Sequence, residues 1–366
     1  MKKLFILFIF FFYHFAFCKV INIKDFGAIG DGIFDNSNIF NSVLKNIKNN
    51  ESYKIIIPEG TFLISNTIEL PENVSIEGID PSISILKINT KNTALTVLKN
   101  RENNFYQYKF IRNLSIRGPE YGTNPFSWKN TRTVADQSVG IKVLGYRNRI
   151  ENCEIDGFST AGVQLFSSYY NFIDKCFIKN NKYGIQIHEI STSTYITSSE
   201  LRFNSIAFFI KNSYSVYITD NIIEANISNF IDDNNSGDTL SNGKAIVFLN
   251  SNNNYVERNY FEEQYYNIVL DQSNNNIFSS NFFALSAKMP ENVRKKNQVT
   301  FAFKNNSSYN IIRDNTVETT SKEIEKTEII FDNSDFSTNS INFNSDINSR
   351  LKKSWQNDSK KPLLKN

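Results

Sequence analysis

Two histidines occur in the 366 residues, and only His188 lies outside the first eighteen. It stands in the run Gln186-Ile-His188-Glu189, and Lys211 follows 23 residues later. An imidazole with a carboxylate beside it and a cation nearby can take a proton from carbon or oxygen; a lone exposed His with no role is the plain alternative. A second group, Asp232 and Asp233 with Asp238 close by, has the oxygen donors for Ca²⁺ or for an acid/base pair on a glycosidic bond. The same residues also make an ordinary solvated Asn/Asp/Ser/Gly turn. Lys142, Arg132 and the run Arg294–Lys296 can neutralise an acidic substrate. Trp128, one of two Trp, can stack on a sugar ring or anchor its own loop.

Composition narrows the classes. Lys+Arg number 40 against 37 Asp+Glu, a formal net charge of +3, so there is no polybasic footprint for nucleic acid. Three Cys and two His exclude a cysteine-rich zinc array, a disulfide scaffold and any site built on a His cluster. Asn is abundant, at 53, against 14 Gly and 7 Pro. Polar tracts of that kind often mean disorder, but 40% hydrophobic and 14% aromatic residues argue for a folded pattern that contains them.

That pattern is a repeat. Ile150-Glu-Asn-Cys153-Glu-Ile155 recurs as Ile173-Asp-Lys-Cys176-Phe-Ile178 and then around Ser199, Asn221, Asn259, Asn281 and Asn315. The steps are 23, 23, 22, 38, 22 and 34, so two rungs carry insertions of about 16 and about 12 residues. Each rung adds an alternating strand, such as Gly162-Val-Gln-Leu165 and Gly184-Ile-Gln-Ile187. Short alternating strands at this period, with no helices between them, predict an all-β solenoid of stacked parallel strands. Asn at the bend fits, because it tolerates left-handed backbone and stacked copies can hydrogen-bond along the axis. Cys153 and Cys176 share a slot on adjacent rungs, about 4.8 Å apart, and are either a disulfide or two small buried ladder residues.

Three insertions, near Gly118–Val139, Ser228–Gly243 and Ala287–Gln298, leave the same turn just before the alternating strand. They would rim one face and form a groove, the kind of place where function concentrates. Alternation turns Lys142, Gln164 and Gln186 outward there, with His188, Lys211, Asp271 and Lys304 one step further along. The loops add Tyr121, Phe126, Trp128 and Arg132, then the three Asp, then the basic run.

Met1 to Cys18 read as an export signal: Lys2 and Lys3, an apolar run of 14 from Leu4 to Phe17, and Ala16 and Cys18 at the small-residue positions. Residues 19–350 form the solenoid domain, and 351–366 read as a polar basic tail in which Trp355 can dock on the last rung. No later stretch approaches a membrane span, so the expected location is secreted, periplasmic or cell-surface.

The start of the domain carries a denser signal. Asp25-Phe-Gly27-Ala-Ile-Gly30-Asp31-Gly32 precedes an apolar-periodic helix at Ile39, Val43, Leu44 and Ile47. Then come Pro58-Glu-Gly60-Thr-Phe and Leu70-Pro-Glu-Asn-Val-Ser-Ile-Glu-Gly78. This resembles the pectate-lyase-like superfamily, in the branch with rhamnogalacturonases and uronate epimerases, departing at Asn36 where an acidic residue is usual. The resemblance implies a single-stranded right-handed parallel β-helix with about 22–23 residues per rung, an N-terminal capping helix, a polysaccharide substrate and a monomer or homotrimer. The family's Gly-His-Gly, Arg-Ile-Lys and Asp-Pro-His-Asp runs are absent from this sequence.

The leading expectation is a lyase for a uronate-containing glycan. His188, Lys211, Asp232 and Asp233 are its catalytic candidates. Trp128, Arg132, Lys142, Gln164, Gln186 and Asp271 are its substrate-binding ones, and Ca²⁺ is the cofactor that Asp232 and Asp233 would hold. Hydrolysis would pair Asp232 or Asp233 with Glu189 or Asp271. A non-catalytic glycan-binding or surface protein is the reading from a different class.

Overall fold

The computed structural model describes residues 18–98, 109–122, 137–227, 243–285, 298–319, 327–344 and 351–356. Their strands stack in parallel, rung on rung, in an eleven-stranded sheet and a twenty-stranded one that bends round the remaining sides. This is a parallel β-helix. The register follows the repeat: Ile150 pairs with Ile173, Ile173 with Ile196, and Ile222 with Tyr260 across the long 38-residue step. One helix, Ser37–Lys45, buries Phe40 and Val43 against the N-terminal end of the core. Asn36, the departure from the family pattern, is fully buried; it accepts from Ile29 N–H and donates to the Ile29 and Phe34 carbonyls, which makes it an architectural residue.

The core is one continuous column of Ile, Leu, Val and Phe, with Phe261 stacked on Phe283 and Phe303 on Phe331, centroids 4.7 Å and 4.9 Å apart. Polar ladders run beside it at the turns. Asn221 donates its side-chain N–H to Asn259 Oδ1, Asn259 to Asn281 and Asn281 to Asn315, at 2.9–3.0 Å. Asn254, Asn276, Asn310 and Asn339 form another such ladder, and Asn181, Asn204 and Asn226 a third. The expectation that Asn takes the left-handed conformation in the turns holds one position before the ladder residues, where Asn152, Asn180, Asn253 and Asn275 have positive φ. That conformation belongs to the residue before each ladder position: Asp220, Arg258, Ser280 and Asp314 have φ of 60°, 55°, 56° and 56°. The bend places the next side chain inward, where only a group with both donor and acceptor can link rungs. Left-handed sites filled by non-glycine residues also account for how few Gly the chain contains.

Cys153 and Cys176 occupy their shared slot as free thiols. Each donates to backbone carbonyls, Cys153 to Ile111 and Glu151 and Cys176 to Ile150 and Asp174. At the C-terminal end, Leu351–Gln356 forms a strand paired with Thr327–Asp332, with Trp355 in register with Phe331. Backbone pairing thus extends the solenoid by one strand into the segment that reads as a tail. Among the described residues, no helix is long and apolar enough to cross a membrane.

Candidate functional site

The eleven-stranded sheet is the face on which the three insertions open. Strands end at Arg117, Glu224 and Leu285 and resume at Val139, Lys244 and Gln298, always just before a strand of this sheet. The start of the first insertion is pinned to the scaffold: Gly118 N–H donates to Asp156 O at 2.7 Å and Glu120 N–H to Gly157 O at 3.0 Å. Gly157, with φ of 84°, admits this close approach, since a Cβ there would lie 2.4 Å from Tyr121 N.

On this face the outward positions align in columns. Lys142 pairs with Gln164 and Gln164 with Gln186, while Phe166 pairs with His188 in the next column. Gln164 donates to Gln186 Oε1 at 2.7 Å, so these two amides lock one another. The ring of Phe166 meets His188 edge-on at 4.9 Å, and Lys142 Nζ lies 5.4 Å from the Phe166 centroid. Together they wall a cavity of about 570 Å³ lined by Thr93, Gln137, Val139, Lys142, Ser159, Thr160, Gln164, Phe166, Lys182 and His188.

The electrostatics of this cavity are cationic. Burial holds the His188 imidazole below its ordinary value. Glu189 opposes that shift, and Lys142 and Lys211 reinforce it. The ring is therefore neutral at neutral pH. Its Nδ1 lies 3.9 Å from Glu189 Oε1, and its Nε2 is buried with no hydrogen-bond partner among the described residues. A neutral imidazole held this way can accept or shuttle a proton, and the amines around it suit an anionic ligand. No carboxylate appears among the described lining residues.

The turn after His188 is also unusual. Glu189 and Ile190 both take positive φ, 57° and 61°, which is a genuine outlier for β-branched Ile. Ser191 donates to His188 O at 2.9 Å and closes this turn, while Ser167 donates to Glu189 O at 2.9 Å.

Of the residues singled out from sequence, the structure brings Lys142, Gln164, Gln186 and His188 together, with Lys211 one rung further on. Asp271 stands elsewhere. It is in the His188 column but three rungs along, about 14 Å away, nearly buried and accepting from Asn305. Trp128, Arg132, Asp232 and Asp233 lie outside the described residues, as do Phe126, Asp238 and Arg294–Lys296. The calcium expectation rests on that outside group; among the described residues no three His, Cys, Asp or Glu side chains converge. Sequence reasoning missed Phe166, which alternation places one rung before His188. It also missed Lys182 and the Ser159–Thr160 pair, which sit at the turn where alternation gives no direction.

Comparison with known proteins fits this geometry. The profile of a family described as rhamnogalacturonase A/epimerase, pectate lyase-like matches residues 20–232. The SPbeta prophage-derived uncharacterized protein YomE of Bacillus subtilis (strain 168) is 24% identical over 237 residues, which is 62% of this chain and 34% of that protein. The chain thus spans about a third of the length of this curated relative. Among solved structures, the DFA-IIIase of Arthrobacter chlorophenolicus A6 superposes with a TM-score of 0.63 at 12% identity, covering 91% of this chain and 96% of that one. The A-module of the Azotobacter vinelandii mannuronan C-5 epimerase AlgE4 gives 0.56 at 11% identity, covering 92% and 100%. At such identities the structural likeness concerns the fold.

Proposed function

The chain belongs to the rhamnogalacturonase A/epimerase, pectate lyase-like family, and from that premise we propose that it is an exported protein that cleaves a uronate-containing glycan by elimination. One observation carries this reading: a neutral His188 feels the charges of Lys142 and Lys211, at a cavity whose described lining adds Lys182 and holds no carboxylate.

The chemistry follows from that set. The C5 proton of a uronate is acidic only when the neighbouring carboxylate is neutralised, and the lysines supply that charge. His188 takes the proton. The C5–H electrons form the C4=C5 double bond, the C4–O bond breaks, and the leaving glycosyl oxygen is protonated by water. A buried Nε2 without a partner costs free energy, and a ring rotation that brings it to a bound sugar relieves that cost. Glu189, 3.9 Å from Nδ1, favours the imidazolium that forms when the proton is taken. Export is supported by the Lys2-Lys3 start and the apolar run to Phe17.

C5 epimerisation shares the first step and differs only in reprotonation from the opposite face. The fold this chain shares with the mannuronan C-5 epimerase of Azotobacter vinelandii favours epimerisation as the second reading. Incubation with polygalacturonate, polymannuronate and other acidic glycans separates the two. Absorbance of unsaturated uronate is the result expected for elimination. Solvent-deuterium uptake at C5 without that absorbance would mean epimerisation. Silence in both, or reducing ends without absorbance, would reject the proposal.

A further inference from the structure

The outward middle column of the eleven-stranded sheet changes character partway along. It runs Lys142, Gln164, Gln186 and then Phe209, Val247, Val269, Ala302 and Ile330, each in register with the next. The last five are not in the core: their strand neighbours Phe208, Ile246, Ile268, Phe301 and Ile329 are, and the outward five form a separate apolar cluster with Ile206, Tyr266 and Val299. Yet they are almost without exposed surface, from 0% at Val247 to 6% at Ile330. A sheet face with no accessible area cannot carry a ligand. The boundary is a wall: Tyr183, at the lip of the strand that holds Gln186, stacks on Phe209 with centroids 4.9 Å apart. Lys182, which lines the cavity, lies over the Tyr183 ring at 5.3 Å.

We infer that the binding site is a cleft closed at the Tyr183–Phe209 stack, and that its substrate is the end of a glycan chain or a short oligosaccharide, not the interior of a polymer. The open floor, from the Thr93–Thr96 rung through Lys142 and Gln164 to Gln186, covers three rung spacings, about 14 Å, roughly the reach of three pyranose rings. The polar contacts of the floor end where the stack begins. An open groove would instead continue polar, rung after rung, along the solenoid. This inference rests on the reading of the cavity as a site for uronate glycans.

Two measurements on the full protein test it. The first is calorimetric titration with oligogalacturonides and oligomannuronates of two to eight units. Affinity is expected to rise up to about three units and to change less than twofold beyond. A continued rise through six or more units would overturn the cleft, because the chain would then run past Phe209 along the sheet margin. The second is product analysis on the matching polymers. Small products from the earliest times, with little fall in viscosity, are expected. Early mid-length products with a rapid loss of viscosity would overturn the cleft and leave elimination standing. Length-limited binding without unsaturated product would keep the cleft and reject elimination, and no binding to either series would remove both.

Discussion

The turn ladders and the cavity are made from the same repeat, yet they treat polar atoms in opposite ways. Within the Asn221–Asn315 ladder every rung satisfies the next: Asn259 Nδ2 donates to Asn281 Oδ1 and to the Ile218 and Glu257 carbonyls, and its own Oδ1 receives Asn221. At the cavity His188 Nε2 is buried without a described partner, and the described lining carries Lys142 and Lys182 with no carboxylate. Closed hydrogen-bond sets stabilise the scaffold. An open, charged set on the same scaffold is what a ligand would complete.

Substitutions can break this contrast from either side. The largest expected effect is on turnover: His188→Ala should lower the rate of unsaturated-uronate formation by about 10²–10⁴-fold, with the denaturation midpoint unchanged. In the ladder the expectation reverses. Asn259→Ala leaves the backbone N–H of Asn221 without its acceptor and strips one bond each from the Asn221 amide and the Ile218 carbonyl inside the turn, which should cost about 3 kcal/mol of stability in a urea titration while the residual activity of folded protein stays normal.

A buried cation gives a third case. Lys109 is almost fully buried, donates to Leu98 O at 3.0 Å, and burial pulls its amine down to about 8. A depressed Lys value means that the folded state disfavours the charged form, so the penalty is full below pH 8 and fades as pH rises towards the unfolded value. Lys109→Met should therefore stabilise the protein at pH 7 by about 2 kcal/mol, and the advantage over the parent should shrink between pH 8 and 10.5, read by denaturation at each pH. The smallest effect expected is on pH dependence. If His188 is the base, kcat/KM should rise with pH to a plateau whose midpoint lies below the ordinary 6.5, because burial lowers the imidazole. Lys211→Met should move that midpoint upward, since Lys211 holds it down.

How much of this could be read in the chain differs between the two regions for a physical reason. The slot running from Cys153 through Asn221 to Asn315 is filled at every rung under one constraint, so its spacing announced the solenoid and the rungs with insertions. The left-handed residues before it escaped notice because Asp220, Arg258 and Ser280 share a backbone shape and no side-chain chemistry. His188 occurs once and has no period to reveal it; only its rarity and its outward position pointed there. The blind end was illegible for another reason. Alternation says that Phe209 and Val247 face outward, but not that this outward face is buried, which depends on residues far along the chain.

The histidine count provides the most direct test of the site. With His14 as the only other histidine, the His188 ring resonances can be assigned by comparison with His188→Ala. Titration with a uronate trisaccharide should shift the Hε1 and Hδ2 signals of His188 saturably and change the pH at which they titrate, while a neutral trisaccharide leaves them in place. Saturable binding of the uronate, seen by calorimetry, with His188 resonances unmoved at every pH would contradict the placement of the site.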